Sequence, residues 1–320
     1  MDNIIYKGPD QIRVVAVLGT GSVGASWIAL FLAHGLEIIA YDPSPRAPES
    51  VNDFVSSAWP ALLDMGRTKL PHPPLDLIHF VSSPGEAARM ADVIQENCPE
   101  HLEIKKTLLT EVEAAADSSK IILSSTGGIP PSAMQKVCTH PERLVVLHPF
   151  NPTHLIPLVE VVGGGGTSPV VLDWAMDFAR FLHKHPIRLH AETNGHMTNR
   201  LQFALVREAI ACLQEGIASA SDIDAAVRYG LGPRWALMGG LLTLHMAGGT
   251  KGMQGILDHA GQAIQEWWTP STSVTLTPEL VQKLVQAAQE VSQGESVQSW
   301  AQWRDEGLVN VLKLQEKLGA

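Results

Sequence analysis

The chain has 320 residues, enough for one large domain or two of ordinary size. Hydrophobic residues make up 45% and charged residues 18%, a balance that excludes wholesale disorder. With 23 Lys and Arg against 33 Asp and Glu the formal net charge is −10, which disfavours nucleic acid and membrane surfaces as partners, because both present anionic phosphate.

In chain order, the short apolar runs RVVAVLG, EIIAYD, LIHFVSS, DVIQE, KIILSS, RLVVLH and LVEVV are rich in β-branched residues and read as buried strands. Helical periodicity over 22–34, 101–116 and 168–183 lies between them. Strands alternating with helices predict crossovers and a mostly parallel, doubly wound sheet. The four glycines at 163–166 read as a loop. His183 and His185 flank Lys184 and read as a solvated helix end. Beyond about Gly195 the strand signal ends, and helical patterns run over 198–216, 221–229, 235–246, 252–268, 277–293 and 297–318. Residues 270–277 read as a turn or loop, and Thr277-Pro278-Glu279 as an N-cap with proline opening a helix. The expectation is an α/β Rossmann-type domain over 1–193 followed by an all-α domain over 194–320, with neither half basic.

Cys98, Cys138 and Cys212 lie far apart with no CxxC pair, which argues against a disulfide scaffold or a zinc site. The 13 histidines have no ligand-like spacing, so no metal is expected. The opening MDNIIYKGPDQIR lacks the apolar stretch of a signal peptide. No window reaches the ~18 apolar residues of a membrane span, and the final KLGA matches no peroxisomal or retention signal. A cytoplasmic protein is expected.

Val14–Gly24 reads VVAVLGTGSVG: a strand running into Gly19-x-Gly21-x-x-Gly24 and then a helix. Gly19 permits the tight turn, Gly21 lets a pyrophosphate approach the backbone, and Gly24 lets the helix pack on the strand. The helix start at Ser22 and Val23 offers free N–H groups and a positive dipole end to phosphate. Asp42 ends the second strand, where an acid accepts the adenosine ribose hydroxyls and repels a 2′-phosphate. The cofactor expected is NAD rather than NADP.

Leu147–Val162 reads LHPFNPTHLIPLVEVV. His148 ends one strand, a proline-bounded turn containing Asn151 follows, and Glu160 lies within the next strand. An acid in an apolar strand is expensive unless paired, and His148, brought back by the turn, is the obvious partner. A carboxylate beside an imidazole orients the ring and makes it a better base for an alcohol proton. The plainer alternative is a lone histidine with a solvated glutamate nearby.

His-Pro-Phe-Asn-Pro followed by Pro-Leu-Val-Glu-Val, downstream of GxGxxG, closely resembles the 3-hydroxyacyl-CoA dehydrogenase superfamily. The resemblance continues through Asn199-Arg200-Leu201, EGIASASDID at 215–224 and RDEGL at 304–308, so it covers nearly the whole chain. It implies that a His148–Glu160 dyad takes the hydroxyl proton as hydride passes to nicotinamide, and that Asn199 positions the substrate oxygen. It further implies Glu96 at the cofactor, and a homodimer through the helical domain. The family's serine before the histidine is missing, because Gly127 stands there inside Ser124-Ser125-Thr126-Gly127-Gly128. Thr126 or Ser125 is then the candidate hydroxyl at the substrate. Restoring a serine at 127 is expected to raise activity if that hydroxyl is the defect. A non-catalytic NAD-binding protein with a structural or sensing role is the rival from another class.

The acyl-CoA members resemble one another in a lysine-rich segment after the second strand, whereas here 48–70 holds only Arg67 and Lys69. Anionic CoA is therefore disfavoured, and the branches acting on small acids, carnitine and gulonate, are the better comparison. RWALMG at 234–239 and AGGTKGM at 247–253 look closer to the carnitine branch. Arg234 is a candidate clamp for a substrate carboxylate. Phe150, Trp235, Trp267 and Trp268 are candidate faces for a quaternary ammonium. The expected reaction is NAD-dependent oxidation of the 3-hydroxyl of a small L-3-hydroxy acid, carnitine first, with gulonate and an acyl-CoA as alternatives.

Overall fold

The computed structural model describes residues 4–268 and 274–319, and the chain divides into two compact units, Met1–Arg200 and Leu201–Ala320. The first unit runs β1 (Val14–Leu18), α1 (Ser22–Ala33), β2 (Glu37–Tyr41), α2 (Ala47–Asp64), β3 (Ile78–Phe80), α3 (Pro84–Met90) and β4 (Val93–Glu96). It continues with α4 (Leu102–Ala115), β5 (Ile122–Ser124), α5 (Pro131–Gln135), β6 (Leu144–Pro149), β7 (Leu158–Gly163), α6 (Pro169–Phe181) and β8 (His185–Arg188). The strands form one sheet in the order β3-β2-β1-β4-β5-β6-β7-β8. Every pairing is parallel except β6 with β7, which is antiparallel.

Both faces of this sheet are covered, which is why its strands are continuous apolar runs rather than alternating ones. Val15 and Val17 of β1 pack into a cluster with Trp27 and Phe31 of α1, Val55 of α2 and Phe178 of α6. Ala16 and Leu18 point the other way, towards Ala87 of α3, Leu109 of α4 and Met134 of α5. The strand order reverses between β1 and β4, the place where doubly wound sheets open a crevice at their carboxyl ends.

His183 and His185 are exposed just beyond the end of α6, as expected of a solvated helix end, but the lysine between them is not. Lys184 is buried, and its amine donates to the carbonyls of Thr153 and Ile156 while lying 5.5 Å from the centre of the Trp27 ring. Burial pushes its pKa down to about 7. His185 then opens β8, an eighth strand beyond the seven apolar runs. It is an edge strand of mixed polarity whose Pro186 is tolerated because one side has no ladder to join.

α7 (Thr198–Gln214) spans the division, and the second unit continues with α8 (Ala220–Ala225), α9 (Gly232–Ala247), α10 (Gly252–Trp267), α11 (Pro278–Val291) and α12 (Val297–Leu318). The helix expected over 221–229 is shorter, because α8 widens into a π-helical stretch at Ala226–Leu231. Gly239, at φ 69°, interrupts α9. Thr277 caps α11 by accepting from the N–H of Leu280, with Pro278 first in the helix. Of the loop expected over 270–277, residues 270–273 lie outside the described residues, and 274–277 carry no regular structure. The division after Arg200 falls seven residues beyond the expected boundary at 193. The N–H groups of Met197 and Thr198 donate to Glu160, which ties the start of α7 to the first unit. Among the described residues no helix is long and apolar enough to cross a membrane.

Candidate active site

A cleft of about 800 Å³ opens at the β1/β4 reversal, lined by Gly19, Gly21, Ser22 and Val23 after β1, Asp42 after β2, Asn97–Glu100 after β4 and Ser125 after β5. The three glycines are bare for different reasons. Gly19 has φ +85°, and a Cβ there would lie 2.9 Å from the Asn97 carbonyl oxygen. At Gly24 a Cβ would lie 2.0 Å from the Gly19 carbonyl oxygen, so only glycine lets α1 begin this close to the turn. At Gly21 a Cβ would meet nothing within 4 Å among the described residues, and its backbone is extended. Protein packing does not require that glycine, and its bare backbone leaves room for a ligand. Gly21 provides no side-chain cap to α1, so the first-turn N–H groups remain available to a phosphate.

Asp42, also lining the cleft, is fixed in place beside the glycine turn. Its Oδ2 accepts from the Thr20 N–H at 2.8 Å and the Thr20 hydroxyl at 3.0 Å, and its Oδ1 accepts from the Ser44 N–H at 2.9 Å. An uncapped helix start and a fixed carboxylate at the end of β2 match the pyrophosphate and the adenosine ribose of a dinucleotide. The residues present therefore fit NAD.

His148 and Glu160 are direct partners across the antiparallel β6–β7 pair, so their side chains leave the same face. His148 Nδ1 lies 2.8 Å from Glu160 Oε2, and the carboxylate is fully buried. A carboxylate can only accept, so Nδ1 carries the hydrogen and Nε2 presents its lone pair to the site. Glu160 Oε1 accepts from the N–H groups of Met197 at 3.1 Å and Thr198 at 2.8 Å, and from the Thr198 hydroxyl at 3.0 Å. Burial alone would raise the Glu160 pKa, but the hydrogen bonds from His148 and Thr198 outweigh it and hold the group below the usual carboxylate range.

Asn199 opens α7 beside this pair, its amide nitrogen donating to the Gly127 carbonyl at 2.9 Å. A Cβ on Gly127 would lie 3.2 Å from that nitrogen and 3.3 Å from His148 Nε2. The bare backbone at 127 thus brings His148 and Asn199 together. Phe150 lies against His148, ring centres 4.6 Å apart. Asn151 is exposed, its Oδ1 accepting from the Thr153 hydroxyl at 3.5 Å.

Two expectations need correction. Glu96 does not line the cleft. It is fully buried, accepting from Lys105 Nζ at 2.8 Å, from the Cys98 N–H at 2.6 Å and from the Ser124 hydroxyl, so it braces the floor between β4 and β5. Thr126 does not offer its hydroxyl to a substrate. It is 1% exposed, and Oγ1 donates to Glu100 Oε1 at 2.6 Å. Ser125 is equally engaged, accepting from Trp27 Nε1 at 2.9 Å and donating to Asn97 Oδ1 at 2.8 Å. Arg234 and Trp235 belong to the second unit, where both are exposed at the start of α9 and Arg234 Nε donates to the Gly230 carbonyl at 3.3 Å.

Residues that motif reading passed over are Glu100, His196 and Lys184. Glu100 lines the cleft and gathers the Thr126 hydroxyl with the N–H groups of Gly128 and Ile129. His196 is fully buried, its ring centre 5.4 Å from that of His148. No spacing rule marks them, because each reaches its partner across more than 20 residues of chain.

The sequence profile described as 3-hydroxyacyl-CoA dehydrogenase, NAD binding domain, matches residues 14–193. The profile described as 3-hydroxyacyl-CoA dehydrogenase, C-terminal domain, matches 195–295. The chain is 39% identical over 317 residues to an L-carnitine dehydrogenase of Bacillus cereus, covering 99% of this chain and 97% of that one. It is 40% identical over 303 residues to an L-carnitine dehydrogenase of Pseudomonas putida, covering 95% and 94%. Among solved structures it is similar to 5-formyl-3-hydroxy-2-methylpyridine 4-carboxylic acid 5-dehydrogenase, an NAD+-dependent dismutase, at a TM-score of 0.83 and 27% identity over 95% of this chain and 99% of that one. With the open cradle at Gly21 and these relatives at both ends of the chain, the protein belongs to the 3-hydroxyacyl-CoA dehydrogenase family and is an NAD-dependent oxidoreductase.

Proposed function

We propose that the protein oxidises the 3-hydroxyl of a small L-3-hydroxy acid with NAD, and that L-carnitine is the substrate it turns over best. The observation that carries this is the His148–Glu160 pair, whose hydrogen-bonded Nδ1 leaves Nε2 as a bare acceptor beside Asn199. The substrate hydroxyl gives its proton to His148 Nε2 as the O–H bond breaks. Glu160 keeps the ring in the tautomer that can take that proton and stabilises the imidazolium that forms. Asn199, with one amide hydrogen on the Gly127 carbonyl, directs its remaining polar atoms to the substrate oxygen. NAD, when bound, supplies the acceptor for the hydride that leaves the substrate carbon.

A small zwitterionic acid suits the chain better than a CoA thioester. Positions 48–70 provide only Arg67 and Lys69 for a polyanion, and Glu49 lies in the first turn of α2. Arg234 is the proposed partner of the carboxylate, and Phe150 and Trp235 are the proposed aromatic contacts of the quaternary ammonium. Relatives about 40% identical over nearly the full chain carry the name L-carnitine dehydrogenase, which supports the same substrate. The helical unit exposes Leu201, Phe203, Leu241, Met246 and Trp267, more apolar side chain than a lone domain leaves to water. Pairing with a second copy through this unit is the proposed assembly.

The test is NAD reduction at alkaline pH with L-carnitine, L-gulonate and 3-hydroxybutyryl-CoA, in wild type and His148→Ala. Carnitine is expected to dominate, and His148→Ala to abolish turnover while NAD still binds. Equal or better turnover of gulonate or the CoA ester overturns the substrate assignment. Tight NAD binding with no turnover of any acid overturns the catalytic reading and favours a non-catalytic role, the reading that the missing serine at Gly127 suggests.

A further inference from the structure

Two local costs meet in His196. Its φ is +47°, a left-handed backbone that a side chain with a Cβ adopts only under constraint. Its ring is fully buried, yet Nδ1 finds no hydrogen-bond partner among the described residues. The other nitrogen, Nε2, lies 3.1 Å from the Thr126 carbonyl oxygen. That oxygen can only accept, so Nε2 carries the hydrogen and the orphan Nδ1 is a bare lone pair. Phenylalanine would fill the same space without stranding a polar atom. A residue that breaks both a backbone preference and the pairing rule for buried polar groups, beside a functional pair, points to a role in that pair.

We propose that His196 is a positioning residue for His148: a neutral imidazole that clamps the Thr126–Gly128 turn against the start of α7 and so sets where His148 Nε2 and Asn199 stand. The clamp has two strands. His196 Nε2 holds the Thr126 carbonyl, and the N–H of the preceding Gly195, at φ +76°, donates to the Gly128 carbonyl at 3.1 Å. Between them lies Gly127, whose carbonyl receives Asn199 and whose Cα faces His148 Nε2. Slack in this turn therefore moves the base and the oxygen contact apart.

The charge state matters as much as the contact. The groups facing the ring are His148 on β6, Glu160 on β7, Glu100 after β4 and the Thr126 carbonyl after β5. Burial disfavours the His196 cation most, and His148 disfavours it further. The carbonyl and the two carboxylates oppose them without prevailing, so the pKa is lowered. His196 stays neutral while His148, 5.4 Å away, takes up the substrate proton. A second cation at that distance would oppose the transfer.

The inference rests on His148 being the base, and the experiment separates the two. His148→Asn tests the base, while His196→Phe and His196→Gln test the clamp, each alongside NAD binding as a check of the fold. His196→Phe keeps the volume and removes the N–H. His196→Gln returns an amide N–H near the place of Nε2. The Phe variant is expected to bind NAD normally and to lose about tenfold in kcat, the rate equivalent of one buried hydrogen bond. The Gln variant is expected to recover most of that loss. Because charging His196 loosens the clamp, the acid limb of kcat/KM is expected to fall more steeply in wild type than in either variant. A Phe variant with wild-type kcat and an unchanged acid limb overturns the proposal, as does a Gln variant no better than Phe. Retained activity in His148→Asn overturns the base instead.

Discussion

Replacing Glu160 by glutamine changes one atom and tests the whole arrangement around His148. The Gln carbonyl can still accept from Met197 N, Thr198 N and Thr198 Oγ1, which converge on one oxygen of the carboxylate. The amide NH2 then takes the place of the oxygen 2.8 Å from His148 Nδ1. Two N–H donors cannot face each other, so the ring must present a bare Nδ1 and move its hydrogen to Nε2. The atom facing the substrate becomes a donor and can take no proton. A catalytic histidine locked in the wrong tautomer loses on the order of 10⁴ in rate, about 5 kcal/mol of barrier. The fold should persist, since the three contacts that tie α7 to β7 survive and a buried charge is removed. The assay is NADH formation under saturating NAD and carnitine, with NAD affinity measured in parallel. An undiminished kcat in a variant that binds NAD normally refutes the orienting role of Glu160. Stability adds a second check. The folded pKa of Glu160 lies below its unfolded value, so the carboxylate contributes stability that is present above the unfolded carboxylate pKa of about 4.3. That contribution is lost as pH falls through the lower folded value. The difference in denaturant stability between wild type and Glu160→Gln should therefore move against wild type on acidification, and a difference constant with pH refutes that linkage.

Serine at Gly127 is now expected to lower activity rather than raise it. Its Cβ would press on Asn199 and His148 at 3.2 and 3.3 Å, and overpacking of ~1–3 kcal/mol corresponds to a loss of about 5- to 150-fold; a faster Gly127→Ser enzyme refutes this. Lys184→Met isolates a buried amine. With a folded pKa of about 7 against 10.5, the unfolded chain binds the extra proton between those values, so wild type should gain about 1.4 kcal/mol per pH unit relative to the variant across that window. Parallel stability curves for the two proteins would show that the amine is not held in the way its two carbonyl partners imply. Asp42→Ala should weaken NAD about 10- to 100-fold, the equivalent of one hydrogen bond to a charged group, and narrow the preference over NADP; unchanged affinity by titration removes Asp42 from the cofactor. Gly24→Ala should abolish NAD binding, because the new Cβ would lie 2.0 Å from the Gly19 carbonyl oxygen.

Much of this molecule is readable along the chain. The seven apolar runs, the helix periods flanking them and the Gly19–Gly24 turn are local signals, carried by residues that are neighbours in sequence and obey the periods of strand and helix. The pairing of His148 with Glu160 was legible for a related reason, since a short proline-bounded turn and an acid in an apolar strand leave few alternatives. By contrast, β8 was hidden because its pattern is mixed and its one partner, β7, lies more than 20 residues away. Lys184 looked solvated because a lysine between two histidines reads as polar surface. Only the carbonyls of Thr153 and Ile156 make its burial tolerable.

The sequence by itself determined the order of elements, the cofactor and the pairing of His148 with Glu160. Only the tertiary structure decided which hydroxyls and carboxylates face the site. Glu96 is turned into the floor by Lys105 and Ser124, Thr126 is taken by Glu100, and His196 is folded in against Thr126. The physical reason is that periodicity and turn chemistry act between neighbours, whereas the direction of a polar side chain is set by whichever buried partner satisfies it. Those partners come from other strands and are known only once the sheet has brought them together.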